Sequence, residues 1–533
     1  MKQGAILLAT FFLLGSLSAL ADTIVGGIIT TDTVWSASGN PYIAEQSVLV
    51  MNGAKLTIEP GVEVRFGPAI ALSVADGALL AAGTQESNIV FTAGRNPPHE
   101  TTNRWGYVGF WDGATDAVFD EAGQHTNGCA LRCVVVEYAG GTAVAGGVHV
   151  SDSTVLLDRC VIRHNTGGGI YLDTSLASVL CSNAVCCNTA SEHGGGGIYI
   201  RDSDWSALTG NTICSNTASG AGGGVRIFSC VGLNLTGNTI CSNTASRDGG
   251  GVDLSYSHAP LISNNAVLDN TAGDNGGGVC AYTLMDPMLT GNRICNNTAS
   301  DNGGGLYLEF WGLEPDAPLL TSNVISSNTA SGNGGGIHVY SSLRALLVGN
   351  IVQGNTSHAF GSGISINEAD GLRLSGDSSN PTAVAGNCGP YQVYNLSGNA
   401  GSPVPTGPGN VDARNVWWGT TNGAEISDMI YDFFDDAGKG IVFYEPCVFP
   451  CSNAPPVISS LTVSNGNLSL RFTNATERNV CTLDRCYDLR SGDWHSVTNV
   501  VVTGEVTSVC WDEVGTDQGG FYRIRASEWG LQR

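Results

Sequence analysis

The sequence contains little charge, and little positive charge in particular. Only 13% of its 533 residues are charged, and 23 lysines and arginines stand against 47 aspartates and glutamates, which gives a formal net charge of −24. Nucleic acid is therefore not expected as a partner, because this charge repels phosphate and no basic run is present. A hydrophobic content of 42% excludes a disordered acidic chain. Collagen is excluded because the 73 glycines do not recur at every third position.

Long apolar runs are also scarce. Beyond the N-terminus no stretch approaches the roughly 20 apolar residues that a transmembrane helix needs. The apolar run 5–14 follows Lys2 and precedes Ala19-Leu20-Ala21, an order typical of a secretory signal peptide with a small-residue cleavage site. We therefore expect a signal peptide at residues 1–21, a secreted or cell-surface protein, and no transmembrane helix.

Asparagines mark an internal repeat. The N-T-[AS] triplets recur at steps of 28, 27, 27, 27, 31 and 27 residues. Their asparagines are Asn188, Asn216, Asn243, Asn270, Asn297, Asn328 and Asn355. Five positions before each lies a second column, formed by Asn183, Asn211, Asn238, Asn265, Asn292, Asn323 and Asn350. A repeat of this length indicates a solenoid, in which each unit packs on its neighbours.

Glycine runs give the type of solenoid. The last glycine of each run, such as Gly224 or Gly251, is called the corner glycine here. The residues one and three positions after it are apolar, as in Val225 and Ile227 or Val252 and Leu254. This period of two is typical of short strands with one buried face. Each copy of about 27 residues then holds three short strands, and stacking these copies predicts an all-β, parallel β-helix. In such a stack the asparagine columns are expected to form side-chain ladders.

Several segments resemble a known family. Residues 56–61 (LTIEPG) and 89–92 (IVFT) look like the opening coils of secreted bacterial right-handed parallel β-helix proteins with a pectin lyase-like fold, and residues 415–420 (NVWWGT) resemble their closing segment. The glycine-run and I-x-x-N elements resemble the repeats of polymorphic outer-membrane proteins. The resemblance covers roughly residues 24–446 and implies a right-handed helix. The autotransporter barrel of those outer-membrane proteins is not expected here.

The predicted organisation has four parts. These are the signal peptide (1–21), the β-helix (22–446), a Cys/Pro-rich linker (447–455) and a small C-terminal all-β module (456–533). Proline in the linker ends the stacking, and alternating runs such as 468–472 predict the strands of the module.

One outward strand face is the candidate binding surface, because aromatic rings stack on sugars and forked charges bond hydroxyls or carboxylates. The outward positions follow two and four residues after the corner glycine. The candidate ligand-binding residues are Tyr171, Asp173, Tyr199, Arg201, Arg226, Phe228, Asp253, Tyr282, Tyr307, Glu309, His338 and Tyr340. The expected partner is a polysaccharide or cell-surface glycan, bound by a monomer.

Catalysis has weaker candidates, namely Arg201, Asp202, Arg226 and Asp253. An arginine base with Ca²⁺ held by aspartates would suit a polysaccharide lyase. A hydrolase needs two carboxyls about 5–9.5 Å apart, whereas Asp173 and Asp253 are expected about 14 Å apart across three coils. Apart from this Ca²⁺ no cofactor or metal site is expected. Three functions stay open: a glycan-binding adhesin, a lyase or glycoside hydrolase, and a purely structural surface protein.

The seventeen cysteines are typical of an oxidising compartment. Because their number is odd, at least one thiol stays free or pairs with another chain. Cys186, Cys214 and Cys241 occupy the same place in successive repeats. Stacked free thiols and a disulfide between coils are both compatible with that spacing.

Overall fold

The computed structural model describes residues 22–94, 103–142, 146–191, 194–310, 318–341, 344–369, 371–374, 382–398, 409–432, 434–436 and 438–445, together with six strands between residues 457 and 526. The expected signal peptide and the expected Cys/Pro-rich linker lie outside the described residues. No side chain of the six C-terminal strands is described.

Three columns of parallel strands run along the molecule. Sheet A contains Leu72–Val74, Val108–Phe110, Val148–Ser151, Ile170–Asp173, Ile198–Arg201, Val225–Phe228, Val252–Ser255, Val279–Tyr282, Leu306–Glu309, Ile337–Tyr340, Ile364–Asn367, Val393–Asn395 and Ile430–Tyr431. Sheet B contains Thr33–Trp35, Ala54–Ile58, Gly77–Ala82, Ala130–Arg132, Leu156–Asp158, Val179–Cys181, Ala207–Thr209, Asn234–Thr236, Leu261–Ser263, Met288–Thr290, Leu319–Thr321, Leu346–Val348, Leu372–Arg373, Val411–Asp412 and Val442–Phe443.

Sheet C completes the coil. It contains Glu63–Phe66, Ile89–Ala93, Val134–Glu137, Val161–Arg163, Ala184–Cys186, Thr212–Cys214, Thr239–Cys241, Ala266–Leu268, Arg293–Cys295, Val324–Ser326, Ile351–Gln353, Thr382–Ala385 and Val416–Trp417. The long strands Thr23–Ile29 and Tyr42–Val50 pair in both sheets A and C. Every pairing in the three sheets is parallel, so the predicted parallel β-helix is confirmed.

The central coils carry a fourth, two-residue strand that the sequence patterns did not predict. It forms the column Thr189–Ala190, Thr217–Ala218, Thr244–Ala245, Thr271–Ala272, Thr298–Ala299, Thr329–Ala330 and Thr356–Ser357. Other short elements occur among the described residues up to residue 445. They are a 3-10 helix at Ala37–Gly39, a hairpin of Val118–Phe119 with His125–Asn127, and an α-helix at Gly423–Asp428.

The C-terminal strands pair differently, because all of their pairings are antiparallel. Val457–Ser464, Asn467–Thr473 and Val506–Val509 form one three-stranded sheet. Asn479–Cys486, His495–Val502 and Phe521–Ala526 form another.

The core consists of the inward side chains of the three sheets. In one coil these include Ile198, Ile200, Leu208 and Ile213, and none of them is accessible to solvent. Burying each such side chain stabilises the fold by about 1.5–3 kcal/mol. Because every coil repeats the arrangement in register, the core is continuous along the solenoid.

The expected asparagine ladders are present at two corners of the coil. At Asn216 both the backbone N–H and Nδ2 donate to Oδ1 of Asn243, at 2.9 and 3.0 Å. Nδ2 also donates to the carbonyl of Val185 in the coil before, at 2.9 Å. The second ladder repeats this pattern, for example from Asn211 to Asn238. These bonds satisfy buried backbone groups that the turns would otherwise leave unpaired.

The glycine runs pack against backbone on both sides. A Cβ built on Gly250 would lie 2.5 Å from the carbonyl oxygen of Gly277, and one on Gly249 would lie 2.8 Å from Cβ of Asp253. Gly249 has a φ of +65°, which side chains disfavour. The glycine run therefore packs directly against the outward side chains of sheet A, with no room for a side chain of its own.

Candidate functional site

All twelve predicted binding residues lie on the outward face of sheet A, in two rows. Row one, two residues after the corner glycine, is Tyr171, Tyr199, Arg226, Asp253, Cys280, Tyr307, His338 and Ser365. Row two is Asp173, Arg201, Phe228, Ser255, Tyr282, Glu309, Tyr340 and Asn367. Successive members come from adjacent coils, about 4.8 Å apart. Asp202 follows row two at the corner, with a φ of +47°.

Much of row one is buried, which the alternation of the sequence did not predict. Asp253 is 3% exposed and His338 is 4% exposed. The cause is the glycine run, because the first glycine of each triplet lies against the Cβ of the row-one residue in its own coil, as Gly249 does at Asp253. Row one is therefore the covered edge of the face, whereas Phe228, Tyr282 and other members of row two are half-buried.

Both arginines of the face pair with carboxylates. Arg201 donates from Nε and Nη2 to the two oxygens of Asp173, at 2.9 and 2.6 Å. Its Nε also lies 3.6 Å from Asp202 Oδ2. Nε of Arg226 lies 3.4 Å from Asp253 Oδ2. The cationic groups that would attract an anionic polymer thus have anionic neighbours already.

Burial shifts the pKa of several row-one groups, among them a carboxyl and an imidazole. It raises the pKa of the Asp253 carboxyl to about 7, although Arg226 acts in the opposite direction. It lowers the pKa of the His338 imidazole to about 4, so this side chain is neutral near pH 7. Between them, the Tyr307 hydroxyl donates to Glu309 Oε2 at 2.7 Å.

The aromatic residues of the face adopt two arrangements. Tyr307 and His338 are stacked, with centroids 5.4 Å apart and an interplanar angle of 19°. Tyr256 instead meets Phe228 and Tyr282 edge to face, at centroid distances of 5.4 and 5.5 Å and angles of 63° and 75°. In a stacked pair each ring covers one face of the other, whereas in an edge-to-face pair the edge of one ring contacts the face of the other.

Tyr256 is a candidate that the sequence analysis missed. It occupies the left-handed corner directly after row two and is 52% exposed. The sequence did contain a signal for it, because the equivalent corner of the coil before holds a serine, Ser229, where this coil holds an aromatic residue. Beside it the Arg226 guanidinium lies 5.3 Å from the Tyr199 ring centroid and 6.0 Å from that of Phe228.

The catalytic candidates do not converge on one open site. Asp253 is buried, and Asp173 lies three coils away in the other row. Among the described residues no group of three or more histidine, cysteine, aspartate or glutamate side chains could hold a metal ion. Within the same part of the chain, no helix is both long and apolar enough to span a membrane.

The stacked parallel coils define a β-solenoid protein with one aromatic and polar outward face. The family model "Right handed beta helix region" matches residues 141–311 and 197–387. The predicted right-handed parallel β-helix is thereby confirmed.

Known proteins resemble parts of this chain. "Protein bark beetle" of Drosophila melanogaster is 42% identical over 71 residues, and the matched part is 13% of this chain and 2% of the length of that protein. The periplasmic alginate epimerase AlgG is 13% identical, with a TM-score of 0.38 over 79% of this chain and 85% of its own. Tailspike protein 3 of bacteriophage CBA120 is 10% identical, with a TM-score of 0.29 over 86% and 65%. Likenesses this weak carry no argument about function.

Proposed function

We propose that this is a secreted or cell-surface protein that binds neutral glycans through the outward face of sheet A. The observation that carries the proposal is the cluster of Tyr256 with Phe228 and Tyr282. Tyr256 is 52% exposed and meets both neighbours edge to face. The exposed ring is held in place by its neighbours, so little side-chain entropy is lost when a ligand stacks on it.

A pyranose ring presents apolar C–H groups on its faces and hydroxyls at its rim. An exposed tyrosine ring can stack on the C–H groups, and charged side chains of the neighbouring coils can form hydrogen bonds with the hydroxyls. Arg226 lies next to the cluster, with its guanidinium 6.0 Å from the Phe228 centroid. Glycan units bound in successive coils would then share a surface that repeats about every 4.8 Å.

The charge of the face favours neutral over anionic glycans. Arg201 already pairs with Asp173 and Arg226 with Asp253. The chain as a whole carries a formal charge of −24. A uronate polymer would therefore meet a repulsive field, whereas a neutral polymer would not.

Affinity electrophoresis of the mature chain, residues 22–533, tests this proposal. Gels containing neutral polysaccharides should retard the protein, and gels containing uronate polymers should not. Tyr256→Ala should weaken the interaction about fivefold, because one aromatic contact is worth about 1 kcal/mol. Met288→Ala is the matched control, since Met288 is 44% exposed but lies on sheet B. Equal retardation of both variants would contradict the proposed site.

An enzyme acting on polysaccharides is the second candidate, and the raised pKa of Asp253 favours it. A carboxyl that holds its proton up to about pH 7 suits general acid catalysis. Incubation with the retarding polysaccharides, with and without Ca²⁺, followed by size-exclusion chromatography, separates the alternatives. Shortened chains that require Asp253 would indicate an enzyme. Intact chains that elute with the protein would indicate a binder, and intact chains that elute separately would leave a structural protein.

A further inference from the structure

Three cysteines lie one above another on the outward face of sheet C. Cys186 is in register with Cys214, and Cys214 is in register with Cys241. In-register residues of neighbouring parallel strands lie about 4.8 Å apart. Disulfides span Cα separations of about 4.4–6.8 Å. All three thiols are free and partly exposed, so each adjacent pair could be joined.

The side chains of the column already contact one another. The Cys214 thiol is within hydrogen-bonding reach of both Cys186 and Cys241. A fourth thiol, that of Cys187, reaches Cys186 and is exposed. The backbone N–H of Cys187 also donates to the carbonyl of Cys214, at 3.3 Å. Cys214 is thus the centre of a four-thiol cluster.

The column has defined ends. Arg163 precedes Cys186 in register, and Leu268 follows Cys241. The next cysteine along, Cys295, lies beyond Leu268, is buried, and places its sulfur 3.1 Å from the Ser326 hydroxyl. Cys295 therefore offers an internal comparison, since it shares the column but is in register with Leu268 and Ser326 rather than with a cysteine.

We propose that this cluster is a thiol–disulfide exchange site, in which Cys214 forms a disulfide with either Cys186 or Cys241. Cys187 is the thiol that a small disulfide encounters first. Because Cys214 can bond only one neighbour at a time, the two cross-coil disulfides exclude each other. The site does not depend on the proposed glycan-binding face, because it lies on a different sheet.

The exchange consumes one molecule of a low-molecular-weight disulfide such as oxidised glutathione. The Cys187 thiolate attacks one of its sulfurs, forms a mixed disulfide and releases the first thiol. Cys214 then attacks the Cys187 sulfur and releases the second thiol. Finally Cys186 or Cys241 attacks the Cys214 sulfur and returns Cys187 to its thiolate. Overall two protein thiols are oxidised and one disulfide is reduced to two thiols.

Accessibility favours Cys187 as the entry point. Burial raises the pKa of the Cys186, Cys214 and Cys241 thiols, so little of each is thiolate near neutral pH. Thiolate is the attacking species in the exchange. Cys187 is exposed at its corner, so a small disulfide can reach it.

The full chain incubated with oxidised glutathione, then alkylated and mapped by mass spectrometry, tests the proposal. Peptides joined through Cys186 and Cys214 or through Cys214 and Cys241 should appear, each two hydrogen atoms lighter than its separate parts. Cys214→Ser should abolish both links, whereas Cys186→Ser should leave the other. Cys187→Ser should slow their formation about tenfold without changing the final pairs. Cys295→Ser is the control and should behave as the wild type.

Three results would overturn the proposal. Complete alkylation of all three column thiols after oxidation would show that no exchange occurs. A link between Cys186 and Cys241 in a folded Cys214→Ser variant would show that register does not decide the pairing. Unchanged rates in Cys187→Ser would remove the assigned entry thiol. Circular dichroism of each variant shows that the β-structure is retained, and Cys214→Ala repeats the test without the new hydroxyl.

Discussion

The side-chain amide of Asn216 links its own coil to Asn243 in the next coil and also to the coil before. Nδ2 of Asn216 donates to Oδ1 of Asn243 in the next coil, at 3.0 Å, and to the carbonyl of Val185 in the coil before, at 2.9 Å. In turn Oδ1 of Asn216 accepts from the backbone and side chain of Asn188. The buried Asn216 side chain therefore forms hydrogen bonds with polar groups of both the preceding and the following coil.

Replacing Asn216 by alanine should destabilise the solenoid strongly. The backbone N–H of Asn188 would then lose its acceptor, at about 1–3 kcal/mol for a buried unsatisfied group. The Val185 carbonyl and Nδ2 of Asn188 would each lose one further hydrogen bond. We expect a loss of at least about 3 kcal/mol in the free energy of unfolding, measured by urea denaturation. Thr217→Ala, at the exposed neighbour, should change it by less than about 0.5 kcal/mol. Similar losses in the two variants would show that the ladder adds little stability.

Substitutions at two glycines distinguish the stability cost of steric crowding from the cost of an unfavourable backbone conformation. Gly250→Ala would place a methyl group 2.5 Å from the Gly277 carbonyl oxygen, so adjacent coils would have to move apart. We expect a cost of about 3 kcal/mol or more. Gly237 has a φ of +66° but nothing within 4 Å of its ideal Cβ, so Gly237→Ala should cost about 1 kcal/mol. Thermal unfolding of both variants checks the order, and a reversed order would contradict the packing argument.

Asp253 should make the protein less stable as pH rises. Its pKa is about 7 in the folded protein and near its ordinary value of 3.8 in the unfolded chain. Between these values the folded state holds a proton that the unfolded chain has released, so stability is lost from about pH 4 to about pH 7, on the order of a few kcal/mol. Asp253→Asn should flatten this slope in urea denaturation. Asp202→Asn, at an exposed corner of the same face, should leave it intact, and an unchanged slope in Asp253→Asn would refute the assignment.

His338 should contribute a slope of the opposite sign. Its pKa falls from 6.5 to about 4 on folding, so below about pH 6.5 the unfolded chain binds a proton that the folded protein does not. Stability is then complete above pH 6.5 and decreases as pH falls towards about 4, by about 3 kcal/mol. His338→Gln should remove this decrease. In His258→Gln, where the side chain is 45% exposed, it should persist. The same acid loss in His338→Gln as in the wild type would exclude His338 as its source.

The repeat itself could be predicted because its constraints are local and periodic. Columns such as Asn211 to Asn238 recur at nearly constant spacing, since each amide needs the next one as a partner. The apolar alternation at Val225 and Ile227 likewise follows directly from the pleat of a strand. Register then places Asp173 beside Arg201 without further information.

The environment of the candidate face could not be predicted in the same way. Asp253 is buried because Gly249, with a positive φ, directs the preceding turn back against it. That path depends on backbone geometry, which residue spacing does not encode. The proposed role of Tyr256 rests on its contacts with Phe228 and Tyr282 in the two adjoining coils, which residue spacing does not predict.

The asparagine ladders also bear on how such a protein evolves. The step from Asn297 to Asn328 is four residues longer than the usual step, yet its side-chain bond is 2.9 Å, like those of the other steps. The ladder is thus continuous across a repeat that is four residues longer than the usual one. Because the interface between successive coils is the same along the repeat, a coil could be duplicated or deleted and the coils on either side would still pack on each other. The length of the molecule is therefore open to change by unequal recombination, one coil at a time, while the remaining coils keep their structure.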